Sequence, residues 1–167
     1  MSARALTTAL IAAAGLALSA CGFTPLYATP GVVPGLSAIQ VVVPQGRTAY
    51  LLRENLDDEL GKDHTAKPAY RLNILVDERR YARGLLSNDV ADRYELHINV
   101  AYTLIALDTG KTLKTGYVPV QVTYDSPDSP YAGIATQQDG QRRAAGDAAQ
   151  RIRTDLALYF AGLNKAP

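Results

Sequence analysis

The run Tyr94-Glu95-Leu96-His97-Ile98-Asn99-Val100-Ala101-Tyr102-Thr103-Leu104 alternates apolar with polar side chains almost without a break. Successive residues of a strand point to opposite faces of a sheet. Tyr94, Leu96, Ile98, Val100, Tyr102 and Leu104 therefore share one face, and Arg93, Glu95, His97, Asn99 and Thr103 the other. The same period of two recurs on both sides. Upstream, Tyr70, Leu72, Ile74 and Val76 line up against Arg71, Asn73 and Asp77; downstream, Val118, Val120, Val122 and Tyr124 alternate with Pro119, Gln121, Thr123 and Asp125. Asp108-Thr109-Gly110-Lys111 between the last two runs reads as a hairpin turn, because glycine supplies the positive φ such turns need. Alternation this regular predicts a sheet with one buried and one wet face. Pro119 has no N–H to give to a ladder, so its strand is expected at an edge or bulged.

Two other stretches carry a helical period. Ile39, Val41 and Val43, within Leu36–Val43, predict a short strand that closes at Pro44-Gln45-Gly46. From Arg47 to Leu60 the apolar period becomes four, with Leu52, Leu56 and Leu60 on one stripe and Gly61 placed as a stop. After the turn cluster Ser126–Pro130, Tyr131 to Leu163 reads as a long helix with Ala145, Ala148, Ala149, Ile152, Leu156, Tyr159, Phe160 and Leu163 on one side. The order β-α-β-β-β-α describes an α/β (α+β) two-layer sandwich, a four-stranded mixed sheet with two helices on one face, as a single domain over residues 36–163.

The N-terminus is set apart from that domain. Met1–Arg4 is short and basic, and Ala5–Ala20 is uncharged and rich in Ala and Leu. Its most apolar part, roughly residues 9–18, is far shorter than the ~20 residues a membrane-spanning helix needs. This is the pattern of a secretory signal peptide over residues 1–20. It ends Leu18-Ser19-Ala20-Cys21, which resembles the lipobox of bacterial lipoproteins. The resemblance implies a diacylglycerol on the Cys21 thiol and an N-acyl chain after cleavage, a stable anchor because several chains act together. The plainer alternative is a cleaved soluble periplasmic protein in which Cys21 is incidental. A reactive thiol is disfavoured, since no Lys, Arg or His between Arg4 and Arg47 would lower its pKa. Residues 21–35, rich in Pro and Gly, read as an extended lipidated leader and not as a helix.

The 167 residues suffice for one ordinary domain, and a formal net charge of +1 offers no whole-chain case for nucleic acid. A single cysteine forms no internal disulfide, and with two distant histidines it supports no metal site or other cofactor. No P-loop, dinucleotide fingerprint or nucleophile motif appears, so an enzyme is not expected. One charge cluster invites a functional reading. Arg79, Arg80 and Arg83 fall within five residues at the expected end of a strand, with Arg93 beyond the following stretch, residues 85–92, expected as a loop. Guanidinium groups so placed grip phosphates through paired hydrogen bonds. The competing reading is a solvated strand end whose charges discourage aggregation.

The opening Cys21-Gly22-Phe23-Thr24-Pro25-Leu26-Tyr27, the Tyr124-Asp125-Ser126 to Tyr131-Ala132 junction and the ending Asp155-Leu156-Ala157-Leu158-Tyr159-Phe160 resemble the LPS-assembly lipoprotein family, LptE, in its alphaproteobacterial form. The resemblance implies a non-enzymatic lipoprotein on the periplasmic side of the outer membrane. There it would plug the LptD β-barrel, help it assemble, and contact lipopolysaccharide, with Arg79, Arg80, Arg83 and Arg93 as candidates for that contact. Two alternatives stay open: a scaffold lipoprotein for another envelope complex, or a lipid-anchored hydrolase.

Overall fold

The computed structural model describes residues 26–63, 65, 67–85, 91–126 and 129–163. A 3-10 turn at Leu26–Ala28 and a short helix α1 at Val32–Ser37 come first. They are followed by β1 at Ile39–Val42, α2 at Arg47–Glu59, β2 at Tyr70–Leu85, β3 at Ala91–Ala106, β4 at Thr112–Asp125 and α3 at Pro130–Leu163. The strands form one sheet in the order β1-β2-β3-β4. β1 and β2 are joined through a helix and run parallel, whereas β2–β3 and β3–β4 are antiparallel. The sheet is therefore mixed, and Pro119 sits on the edge strand β4, as its missing N–H requires. Gly110 in the β3–β4 turn has φ 67°.

The even-numbered apolar residues of the long strands face the helices. Leu72, Ile74, Leu96, Ile98, Val100, Leu104, Val118 and Val120 are buried against Leu52 and Leu56 of α2 and Ala145, Ala148, Ala149, Ile152 and Leu156 of α3. The alanines keep α3 close to the sheet, and each larger side chain buried there contributes ~1.5–3 kcal/mol. The opposite face carries no covering element among the described residues.

The structure departs from the sequence-based expectation at the leader. Residues 26–37 are not extended: they make the 3-10 turn and then α1, with Val32 and Leu36 buried. Pro34 is tolerated because it falls in the first turn, where helical N–H groups have no internal partner anyway. Gly35 lies under the Phe160 ring of α3, and the Tyr27 ring stacks over the Arg153 guanidinium at 4.2 Å. This part of the leader packs on its own domain. Cys21, the signal peptide and the first five leader residues lie outside the described residues.

The second departure is strand length. β2 continues to Leu85 and β3 starts at Ala91, so Leu85, Ala91 and Asp92 of the expected 85–92 loop are strand, and residues 86–90 lie outside the described residues. β2 has 16 residues and α2 only 13, or roughly 53 Å of strand beside 20 Å of helix. Every residue from Asp77 to Gly84 is exposed, whichever face it occupies, and polar groups of the helices, Thr48 and Gln141 at Glu78 and Gln137 at Arg80, reach over it. The leader meets the last turns of α3, whose Phe160 also packs on Tyr70 at the start of β2, while the arginines lie toward the far end of that strand, roughly 30–40 Å away.

Candidate functional site

Alternation along β2 and β3 divides the four candidate arginines. Arg79, Arg83 and Arg93 occupy odd positions and lie on the open face. Arg80 turns to the helix side, where its Nη1 donates to Gln137 Oε1 of α3 at 3.0 Å and its guanidinium stacks 4.7 Å from the Tyr94 ring. The pairing register sets Arg83 directly opposite Arg93 and Arg79 opposite His97. Like charges facing each other across strands repel, and each of the three has a carboxylate beside it. Arg83 Nε reaches Glu95 Oε2 at 2.5 Å, Arg93 Nε reaches Asp125 Oδ1 at 3.0 Å, and Arg79 Nε reaches Asp77 Oδ2 at 3.0 Å. All three arginine side chains are more than half exposed, so these ion pairs stabilise little and leave the guanidinium groups open to a ligand.

Glu95 is the hub, and sequence reasoning passed over it. It lies on the wet face yet is only 9% exposed. Its carboxylate accepts from Arg83 Nε and from Gln121 Nε2, and His97 Nε2 lies 2.7 Å from its Oε1. The Tyr81 ring meets the His97 ring edge-on at 4.9 Å and sits under the Arg83 guanidinium at 5.8 Å. Hydrogen bonds from Arg83 and then His97 favour the ionised form, holding the Glu95 carboxyl below its ordinary value. The only signal in the sequence was that Glu95, His97 and Gln121 share odd parity. That His97 pairs with Gln121 emerges only from the β3–β4 register.

Next to this charged patch the open face turns apolar. Leu75, Ala101 and Tyr117 form one row across β2, β3 and β4, with Leu75 70% and Tyr117 63% exposed. The Tyr117 hydroxyl donates to Asn99 Oδ1 at 2.7 Å. Asn73, Thr103 and Thr115 fill the row beyond. An anionic, amphiphilic molecule could place phosphates on the arginines and hydrocarbon on Leu75 and Tyr117. Among the described residues no group of three His, Cys, Asp or Glu is placed to hold a metal ion.

The LptE family model, described as lipopolysaccharide-assembly, matches residues 36–156, a span holding all four strands, α2 and most of α3. The chain belongs to the LptE family. Its fold recurs in a putative lipoprotein from Caulobacter crescentus CB15, 48% identical, over 81% of this chain and 99% of that one, at a TM-score of 0.71. Two more distant crystal structures share the LptE fold alone. The rare lipoprotein B from Shewanella oneidensis is 17% identical, covers 75% of this chain and 96% of its own, and has a TM-score of 0.57. A minor lipoprotein from Acinetobacter baumannii is 16% identical, covers 72% and 88%, and has a TM-score of 0.51. No curated protein matches the chain. In this LptE domain the far end of the sheet brings together Arg79, Arg83 and Arg93 and sets Arg80 apart.

Proposed function

We propose that this chain is an outer-membrane lipoprotein of the lipopolysaccharide transport machinery, anchored on the periplasmic side through acyl chains on Cys21. It has no catalytic role: it plugs the LptD β-barrel, assists its assembly, and contacts lipopolysaccharide during insertion into the outer leaflet. The observation that carries this reading is the open sheet face. It is hydrogen-bonded and polar over most of its length, which suits the water-lined interior of a barrel. Of the four candidate arginines, Arg79, Arg83 and Arg93 share that face and meet the phosphates, while Arg80 braces α3 against the strand end.

Affinity purification from detergent-solubilised outer membrane tests the partner. A large β-barrel is expected to co-purify, and recovery of the chain alone, or with inner-membrane proteins only, rejects the reading. Joint replacement of Arg79, Arg83 and Arg93 by Glu tests the ligand surface. Unchanged lipopolysaccharide binding by that variant, with the fold intact by circular dichroism, would remove the three arginines from it.

A further inference from the structure

The two edges of the sheet are treated differently. At the β4 edge Pro119 offers no N–H, and α3 reaches across: Arg151 Nη1 donates to the Pro119 carbonyl at 3.2 Å and Arg143 Nη2 to the Thr123 carbonyl at 3.4 Å. Backbone groups occupied in this way cannot recruit another strand. At the other edge β1 pairs only with Tyr70–Asn73 and then stops. From Ile74 to Leu85, β2 has a neighbour on one side only among the described residues, β3. Asp77 to Gly84 are exposed throughout. Half of the N–H and C=O groups of this run face away from β3, a row of hydrogen-bonding groups open to strand addition.

We propose that this open edge of β2 pairs antiparallel with the same edge of a second copy of the chain, about a two-fold axis at Arg80. The order of side chains selects the occupant and the register. In an antiparallel pair, facing residues share a face of the sheet, so a two-fold register must keep odd residues opposite odd. Centred on Arg80, the open face sets Asp77 against the partner copy's Arg83, and Arg79 against its Tyr81. Each contact occurs twice, an ion pair and a cation over a ring, and they add to the exposed pairs Asp77–Arg79 and Arg83–Glu95 within each copy. On the helix side Arg80 faces its own symmetry mate, but Gln137 and Tyr94 already hold it toward α3. Neighbouring registers fail. Centring on Arg79 opposes that arginine to itself on the open face, and centring on Tyr81 sets Arg79 against Arg83. Centring on Glu78 brings position 83 beside Asn73, where β1 already lies. The Arg80-centred pairing joins two sheets into one and is isologous, so it closes at two copies. It goes beyond lipopolysaccharide contact and describes the chain outside the barrel, not the plug; it draws on Arg79 and Arg83 and so competes with anions for them.

Disulfide trapping tests the register in the purified full chain with Cys21→Ser, which carries no other thiol. Arg80→Cys is expected to form a covalent dimer under mild oxidation. An equimolar mixture of Asp77→Cys and Arg83→Cys chains should cross-link, whereas either variant alone should not, because its two copies of the thiol lie roughly 20 Å apart. Sedimentation of the Cys21→Ser chain should show a concentration-dependent dimer, and Asp77→Arg should weaken it about tenfold by turning two attractions into repulsions. A strictly monomeric chain, or cross-linking of the Asp77→Cys variant with itself, overturns the proposal. So does an edge that gains amide-exchange protection only when the barrel partner is present, which would assign it to that partner.

Discussion

Gly116 and Tyr102 offer the sharpest test of how the sheet is held to α3. They face each other across β3 and β4, and the Tyr102 ring lies over the glycine. A Cβ at position 116 would stand 2.5 Å from Tyr102 Cε1 and nearer still to Cζ and Oη, well inside contact distance. Tyr102 is 2% exposed, and its hydroxyl donates to Asp155 Oδ2 of α3, whose Oδ1 also takes Lys114 Nζ at 3.0 Å. The Gly116→Ala change must displace the ring and break its hydrogen bond. Overpacking costs about 1–3 kcal/mol, and a hydrogen bond to a charged group contributes about 1.5–3 kcal/mol. Replacing glycine in a strand returns about 0.5–1 kcal/mol. The net expectation is a loss of about 2–4 kcal/mol, or roughly 10 °C in Tm for a domain of this size. Urea unfolding followed by circular dichroism measures it, with the Tyr102→Leu chain as the second background. There, no ring covers position 116, and Gly116→Ala should be close to neutral, giving a coupling of about 2 kcal/mol or more. Equal losses in both backgrounds, or a Gly116→Ala chain within about 0.5 kcal/mol of the parent, would refute the contact as the cause.

Three further outcomes follow from the described contacts. Glu95 has a folded pKa below the ordinary 4.5, so its ionised form stabilises the fold above that value, and this contribution is lost as pH falls through the depressed value. The stability gap between the parent and Glu95→Gln should therefore be open at neutral pH and close on acidification; a gap that widens toward acid would contradict the assigned direction. At Gly35 an added Cβ would meet the Phe160 ring at 2.9 Å, so Gly35→Val should lift α1 at a cost of about 1–3 kcal/mol. Limited proteolysis should then cut within residues 26–37, and cleavage no faster than in the parent counts against the docked leader. Arg80→Ala should leave lipopolysaccharide binding within about threefold of the parent, because its guanidinium faces α3. A loss as large as that of the three open-face arginines together would restore Arg80 to the contact surface.

The runs of period two and four announced the sheet and both long helices because burial on one face imprints a local repeat on the chain. The long strands around Ile74, Ile98 and Val120 were legible residue by residue, as were the Leu52–Leu56 stripe and the edge position of Pro119. The repeat vanished where its cause did. From Asp77 to Gly84 the even positions meet the helices through polar groups, Glu78 with Thr48 and Gln141 and Arg80 with Gln137, so every residue stays exposed and the strand continued without an apolar signature. Ending it at Asp77 grouped Arg79, Arg80 and Arg83 as neighbours, whereas extending its parity would have separated Arg80 from the others. The leader misled for the opposite reason. Pro34 and Gly35 are breakers in a helix interior but compatible with a first turn and with the close approach of Phe160, and that approach depends on a residue more than a hundred positions away. The lipobox resemblance at Cys21 concerns processing, so the sequence alone carries it. By itself the sequence determined the four strands, the two long helices, the buried face, the expected anchor and the resemblance to LptE. Only the tertiary structure decided which odd-numbered residues meet at Glu95, which edge of the sheet is guarded, and that the leader and arginines lie at opposite ends. Alternation is a property of one strand, but register and cover are set between strands that meet from far apart in the chain.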